Sequence, residues 1–242
     1  MRSEFSVVLL GELSNNGRFT KGKRPMTESV QPTKRLQSTG EEIANAVSHG
    51  LGLVAALAGA PFLISAALRH GGTAVIVGFS VFAATAALLY LSSTIYHAMP
   101  PNRAKGMLQV LDHSAIFLLI AGTYTPFTLG VMRGAWGWTL LGLVWGIAAA
   151  GLVLTARGGT RYPKLSTALY LGMGWLVVIA IKPLLERVPL PGLLWLVAGG
   201  LAYTAGVAFY AAKRWKYTHF VWHLFVLAGT VCHYFAVLGY AA

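Results

Sequence analysis

The sequence predicts an all-α membrane protein that crosses the bilayer as a bundle of seven helices. Of its 242 residues, 56% are hydrophobic and 11% are charged, whereas a soluble domain carries about 25% charged residues. A helix of ~20 apolar residues, range about 17–25, spans the hydrocarbon core of a bilayer. Seven stretches of this length almost lack Asp, Glu, Lys and Arg, namely 44–68, 73–96, 108–130, 135–156, 165–181, 193–212 and 218–242.

The distribution of Lys and Arg predicts the orientation of the bundle. If the N-terminus is cytoplasmic, all but four of the 19 Lys and Arg residues fall on the inner side of the membrane. The four on the outer side are Arg69, Arg133, Lys182 and Arg187. Because cytoplasmic loops carry the excess of positive charge, we expect the N-terminus inside the cell and the C-terminus outside.

Residues 1–40 are basic and polar without apolar periodicity, and this composition is typical of a disordered tail. We expect a cytoplasmic tail over 1–40, with Met26 as an alternative start, and a seven-helix domain over 41–242. The apolar run Phe5–Leu10 is too short for a cleavable signal peptide. The single cysteine, Cys232, excludes an intramolecular disulfide and a cysteine-based zinc finger. The net charge of +12 lies in the tail and the loops, so membrane topology explains it better than nucleic-acid binding.

Titratable and polar side chains collect at one end of the predicted bundle. Ser93 and His97 end the second apolar segment, Asp112 lies near the start of the third, and His219 and His223 open the seventh. A titratable group at membrane depth is costly unless it is paired or hydrated. Since all these helix ends are predicted to be cytoplasmic, the groups share one depth and we expect them to meet.

The spacing of the histidines favours a metal site. His219 and His223 are i and i+4, so they lie on one helix face. Together with His97 they would supply three imidazoles, which with a water form the open tetrahedral arrangement of catalytic zinc. Asp112 would hold that water or bind the metal directly. The alternative is that the histidines face headgroups or bond between helices, but three histidines and a carboxylate at one level favour the metal.

Glu42, Asn45 and His49 form a further polar set at the start of the first helix. Their spacing of i, i+3 and i+7 places them on one face. They would orient the metal ligands or a water from a second layer around the site. An N-terminal cluster stabilised by the helix dipole is an equally good interpretation.

These residues, taken together, resemble the hemolysin III family, which belongs with the progestin and adipoQ receptors, including the adiponectin receptors. The resemblance rests on Ser93-x-x-x-His97, Asp112 fifteen residues later, and His219-x-x-x-His223. Further matches are Glu42-x-x-Asn45-x-x-x-His49 and the run Ala121-Gly-Thr-Tyr-Thr-Pro-Phe127, which is typical of the bacterial branch. The resemblance covers residues 41–242.

The resemblance implies a multi-pass protein of the bacterial inner membrane, opposite in topology to G-protein-coupled receptors. It also implies an intramembrane Zn2+ held by His97, His219 and His223. Asp112 would be linked to the metal through a water, and Ser93 would lie close by.

Three functions fit the sequence. The first is a zinc-dependent hydrolase of a ceramide-like lipid amide, acting in membrane lipid homeostasis, with Asp112 transferring the proton and Ser93 helping to stabilise the oxyanion. The second is cytolysis by pore formation, which a permanently membrane-bound chain argues against. The third is a sensor or receptor of membrane state with structural zinc. Membrane lipids are the expected partners, nucleic acid is not, and a homo-oligomer is left open.

Overall fold

The computed structural model describes residues 35–212 and 214–242, and these ranges contain helices and no strands. Of the expected tail over 1–40, residues 1–34, which include the alternative start at Met26, lie outside the described residues. The helices are α1 (Thr39–His70), α2 (Thr73–Ala98), α3 (Arg103–Leu129), α4 (Ala135–Gly158), α5 (Pro163–Gly174), a 3-10 segment (Leu176–Ala180), α6 (Ile181–Arg187), α7 (Leu190–Ala211) and α8 (Thr218–Tyr240).

Seven helical stretches of the described chain are long and apolar enough to cross a membrane. Six of them are single helices, and the fifth, Pro163–Arg187, combines α5, the 3-10 segment and α6. The predicted all-α fold with seven spans is therefore confirmed.

The helices pack mainly against their neighbours in the chain. α2 lies between α1 and α3, α3 also packs on α4, and α8 packs on both α7 and α1. The fifth span contacts α3 and α4, and it approaches α7 at few points. This arrangement brings the starts of α1, α3 and α8 and the end of α2 to the same end of the bundle, which is where the polar residues lie.

Close packing of α2 on α3 fixes the relative positions of the two helices. Gly78 faces the backbone of Pro126, where an added Cβ would lie 2.9 Å from the Pro126 Cα. Gly122 packs directly on the side chain of Thr85, in a space that no larger residue would fit. Small residues allow membrane helices to approach closely. Part of the run Ala121–Phe127 therefore serves helix packing.

Side-chain caps define where α1 and α3 begin. Ser38 and Glu41 form a capping box at the start of α1, and Asn102 accepts a hydrogen bond from the Lys105 backbone N–H at the start of α3. Because α3 begins at Arg103, Asp112 lies in its third turn at ~3.6 residues per turn. Asp112 therefore lies further from the start of its helix than the predicted apolar segment 108–130 indicates.

The fifth span is broken, although its sequence predicts one continuous segment over 165–181. The α-helix stops at Gly174, and a 3-10 segment precedes α6. Pro183 has no N–H to donate to the Ile179 carbonyl, and its ring clashes with an α-helical carbonyl at that position. The residues before it, Val177, Val178 and Ile179, are β-branched and lose side-chain freedom in a helix.

Tyr124 satisfies the backbone at this break. Its hydroxyl accepts a hydrogen bond from the Val177 N–H at 3.0 Å and lies 2.9 and 2.8 Å from the carbonyl oxygens of Met173 and Gly174. Backbone groups within a bilayer must find partners inside the protein. The tyrosine of the run Ala121–Phe127 therefore stabilises the interruption of the neighbouring span.

We predict that Tyr124→Phe destabilises the bundle by about 1–3 kcal/mol, because it leaves backbone groups at membrane depth without a partner. Thermal unfolding of the purified protein in detergent measures the loss. The matched control is Tyr162→Phe, since Tyr162 is exposed. Equal stability of the two variants would contradict the assigned role of the hydroxyl.

Candidate metal centre

Three histidines from two helices converge at the polar end of the bundle. His97 lies in the last turn of α2, and His219 and His223 lie in the first two turns of α8. Each offers one ligand atom, and these atoms all lie within 4.8 Å of one another. The ring centroids are 5.2, 5.0 and 4.7 Å apart for the pairs His97–His219, His97–His223 and His219–His223. Three imidazole nitrogens this close could hold a metal ion.

A carboxylate orients the ring of His97. The His97 Nδ1 donates a hydrogen bond to the Glu42 Oε2 at 2.7 Å, and the Glu42 Oε1 accepts one from the Lys105 ammonium at 2.9 Å. The His97 Nε2 is buried and has no hydrogen-bond partner among the described residues. A histidine that donates Nδ1–H to a carboxylate presents Nε2 as a bare lone pair, which is the usual arrangement of a metal-ligating histidine.

The backbone of α1 orients the ring of His223. The His223 Nδ1 lies 3.2 Å from the Asn45 carbonyl oxygen and 3.2 Å from the Ser48 hydroxyl. Since the Ser48 hydroxyl donates to the Asn45 carbonyl oxygen, both oxygens are acceptors for the Nδ1–H of His223. With its proton on Nδ1, His223 carries on Nε2 the lone pair that could bind a metal.

His49 lies flat against His223. The two ring centroids are 3.6 Å apart with an interplanar angle of 8°, and both residues are buried. The rings of Tyr90 and His49 meet edge to face, with their centroids 5.1 Å apart. Glu42, Asn45 and His49 of the predicted polar face of α1 thus all contact the histidine cluster, Asn45 through both its carbonyl and a side-chain amide 3.4 Å from the His97 Nδ1.

Asp112 and Ser93 are buried beside the cluster. Both residues are buried, and both line the same cavity as His219 and His223. In the described part of the chain, the ligand atoms that are mutually close belong to the three histidines. Asp112 stands outside this group, which suits a contact through water better than direct coordination.

A long apolar cavity extends from the cluster into the bundle. Its volume is about 270 Å³, and it is lined by α3, the fifth span, α7 and α8. On α3 its lining runs from Asp112 to Thr128, a separation of about 24 Å at 1.5 Å per residue. Apart from the cluster, the lining is mostly aliphatic and aromatic.

Several charged residues near the site are not among those that the sequence predicts to belong to it. Lys105 lies between the Glu42 carboxylate and the ring of Tyr96, 5.2 Å from the ring centroid. Glu41 binds Arg35 and the start of α8, and the carboxylate raises the pKa of the Arg35 guanidinium through its hydrogen bonds. The capping-box pattern Ser38-x-x-Glu41 was a visible signal for Glu41, whereas no spacing points to Lys105.

We predict that the purified protein carries one divalent transition-metal ion per chain, since three imidazoles bind such ions. Elemental analysis should show its loss in His97→Ala and in His219→Ala/His223→Ala. His233→Gln is the matched control, because His233 lies ten residues beyond His223 and bonds the Leu196 carbonyl instead. Metal-free wild-type protein, or equal metal content in all variants, would contradict the site.

The family model Haemolysin-III related matches residues 37–234. The chain is 42% identical over 215 residues to Hemolysin-3 of Bacillus cereus, covering 89% of this chain and 97% of the relative. It is 44% identical over 200 residues to the Hemolysin-3 homolog of Bacillus subtilis (strain 168), with coverage of 83% and 94%.

A more distant match is the human Monocyte to macrophage differentiation factor, 26% identical over 235 residues, with 92% of each chain covered. The region 37–234 that the family model matches includes the capping box of α1 and all three histidines of the cluster. Together with the seven spans and the histidine cluster, these matches show that the chain is a multi-pass membrane protein that belongs to the Haemolysin-III related family.

Proposed function

We propose that this protein is a zinc-dependent hydrolase of a lipid amide bond, acting on a membrane lipid. The observation that carries the proposal is the position of the three-histidine cluster, with Asp112 and Ser93, at the end of a long apolar cavity. A reaction centre for a soluble substrate would open to water, whereas this one continues into a lining that suits an acyl chain.

The donor set fits zinc. Three neutral imidazoles with an open fourth position are the ligand set of a catalytic zinc site, and the bare, buried His97 Nε2 is a lone pair that a metal would satisfy. His97, His219 and His223 would hold the ion, with Glu42, Asn45 and Ser48 fixing two of the rings. When bound, Zn2+ acts as a Lewis acid that makes water more acidic and polarises a carbonyl.

The protein residues would divide the remaining work. The Asp112 carboxylate orients the attacking water, accepts its proton and returns that proton to the leaving amine, so that amide and water become carboxylic acid and amine. The Ser93 hydroxyl donates a hydrogen bond to the oxygen that becomes negatively charged. The cavity holds the acyl chain in line with the cluster and excludes other water.

The charge distribution and the bacterial relatives support a proposed location. We place the chain in the bacterial inner membrane with the histidine cluster on the cytoplasmic side, because the helix ends that carry the cluster adjoin the loops rich in Lys and Arg. Membrane lipids, as substrates from the inner leaflet, are the proposed partners.

Asp112→Asn tests the catalytic proposal. We expect hydrolysis of an N-acyl sphingosine in detergent micelles, followed by mass spectrometry of the released fatty acid, to fall at least ~100-fold, as loss of a general base does. The zinc content should remain that of the wild type, since Asp112 is not among the mutually close ligand atoms. Unchanged turnover in Asp112→Asn, or no turnover in zinc-loaded wild type across a panel of lipid amides, would contradict the proposal.

Gly200→Leu tests whether the cavity holds the acyl chain. A Cβ at Gly200 would meet only the ring of Trp175, at 4.0 Å, and the residue lines the cavity. A leucine there should fit without disturbing the helix and should lower turnover of long acyl chains more than that of short ones. Gly172→Leu is the control, because Gly172 is exposed with open space around it. The same chain-length profile in both variants would contradict the assignment.

A further inference from the structure

The start of α8 is held in an unusual backbone conformation. Tyr217, the residue before the helix, has φ +60° and ψ 6°, in the left-handed region. It is the one non-glycine residue with positive φ in the described chain. A non-glycine residue rarely adopts this conformation unless its surroundings impose it. The Tyr217 side chain makes no capping hydrogen bond at the start of α8. The Thr218 hydroxyl restrains the loop locally by donating to the carbonyl oxygens of Ala212 and Trp215.

Glu41 of α1 adds a restraint from outside the loop. Its side chain is 2% exposed, and its Oε1 accepts a hydrogen bond from the Tyr217 N–H at 2.8 Å. The Arg35 guanidinium binds both oxygens of Glu41 at 2.6 and 2.7 Å and also donates to the Trp215 carbonyl oxygen at 3.0 Å. A carboxylate at the N-terminus of α8 also interacts favourably with the helix dipole.

The restrained residue is next to the metal ligands. His219 follows Tyr217 by two residues and His223 by six, in the first two turns of the helix. One and two turns beyond Glu41, the same helix α1 contacts the Nδ1 of His223 through Asn45 and Ser48. α1 therefore fixes both the point where α8 begins and the ring of its second ligand.

We propose that Glu41 is a positioning residue of the metal centre: by holding Tyr217 in the left-handed conformation, it sets where α8 begins and so brings His219 and His223 into register with His97. The inference rests on the metal site of the proposed function. Glu41 acts through the backbone at the start of α8, where it accepts the Tyr217 N–H.

Both oxygens of Glu41 are needed as acceptors. Oε1 faces the Arg35 Nη2 and the Tyr217 N–H, and Oε2 faces the Arg35 Nη1 and both the N–H and the hydroxyl of Ser38. In Glu41→Gln, the amide nitrogen would face at least two donors whichever way it turned. The substitution keeps the shape of the side chain and removes one of its two acceptor oxygens.

Binding of Co2+ to the purified, metal-stripped full chain in detergent tests the proposal. The visible absorption of Co2+ reports the coordination geometry, so it detects a displaced ligand and not only a loss of folded protein. We expect Glu41→Gln to weaken Co2+ binding about tenfold, the lower end of what changes behind metal ligands cost, and to alter the spectrum. Glu186→Gln, an exposed glutamate of α6, should bind as the wild type does.

A second substitution tests the route through Tyr217. Glycine adopts positive φ without steric cost, so Tyr217→Gly added to Glu41→Gln should recover most of the lost affinity and the wild-type spectrum. If the double variant does not recover Co2+ affinity, the claim that Glu41 acts through the backbone of Tyr217 is overturned. If Glu41→Gln does not give folded protein, Arg35→Gln replaces it, and weaker Co2+ binding supports the proposal while unchanged binding overturns it.

The outcomes separate this inference from the proposed function. Wild-type protein that binds neither Co2+ nor Zn2+ would refute the metal site itself. Wild-type protein that binds Co2+, with Glu41→Gln matching it in affinity and spectrum, would leave the metal site standing and overturn the role of Glu41.

Discussion

Mutual satisfaction of polar groups at one end of the bundle is the constraint on which the rest of this structure depends. A titratable side chain near the hydrocarbon is stable only if it is paired, and here several of these groups bond partners on other helices. Glu42 of α1 bonds His97 of α2 and Lys105 of α3. Asn45 of α1 contacts His223 of α8. The network connects the ends of four helices and orients the imidazoles of His97 and His223 toward the same space.

The remainder of the bundle is organised around holding those ends in place. α2 and α3 approach closely through Gly78 and Gly122, which fixes His97 relative to Asp112. α1 lies between α2 and α8 and so connects the two helices that carry the histidines. These contacts are tight, whereas the fifth span makes few contacts with α7, and the apolar cavity lies on that side. Rigid positioning of the ligands is thus combined with space for a hydrophobic molecule.

The break in the fifth span belongs to the same arrangement. A straight helix would present a continuous surface to the cavity, but the 3-10 segment places Val177 and Val178 along its lining. The cost of interrupting a helix inside the membrane is offset by Tyr124, which bonds the exposed backbone groups. The run Ala121–Phe127 of α3 therefore contributes to helix packing through Gly122 and Pro126, and to the shape of the cavity through Tyr124.

The sequence by itself determined the class, the number of spans and the residues that meet, because these depend on composition and on periodicity along single helices. The i, i+4 spacing of His219 and His223, and the position of His97 before Pro100, place the histidines without reference to any other segment. Only the tertiary structure decided which nitrogens of His97 and His223 face the cluster, that Lys105 and Glu41 join the network, and that Tyr124 bonds the backbone at the break in the fifth span. Those features arise from contacts between residues far apart in the chain, such as Glu41 with Tyr217 and Tyr124 with Val177. No pattern within one segment encodes these contacts, since each partner satisfies a group whose need appears only when the helices pack.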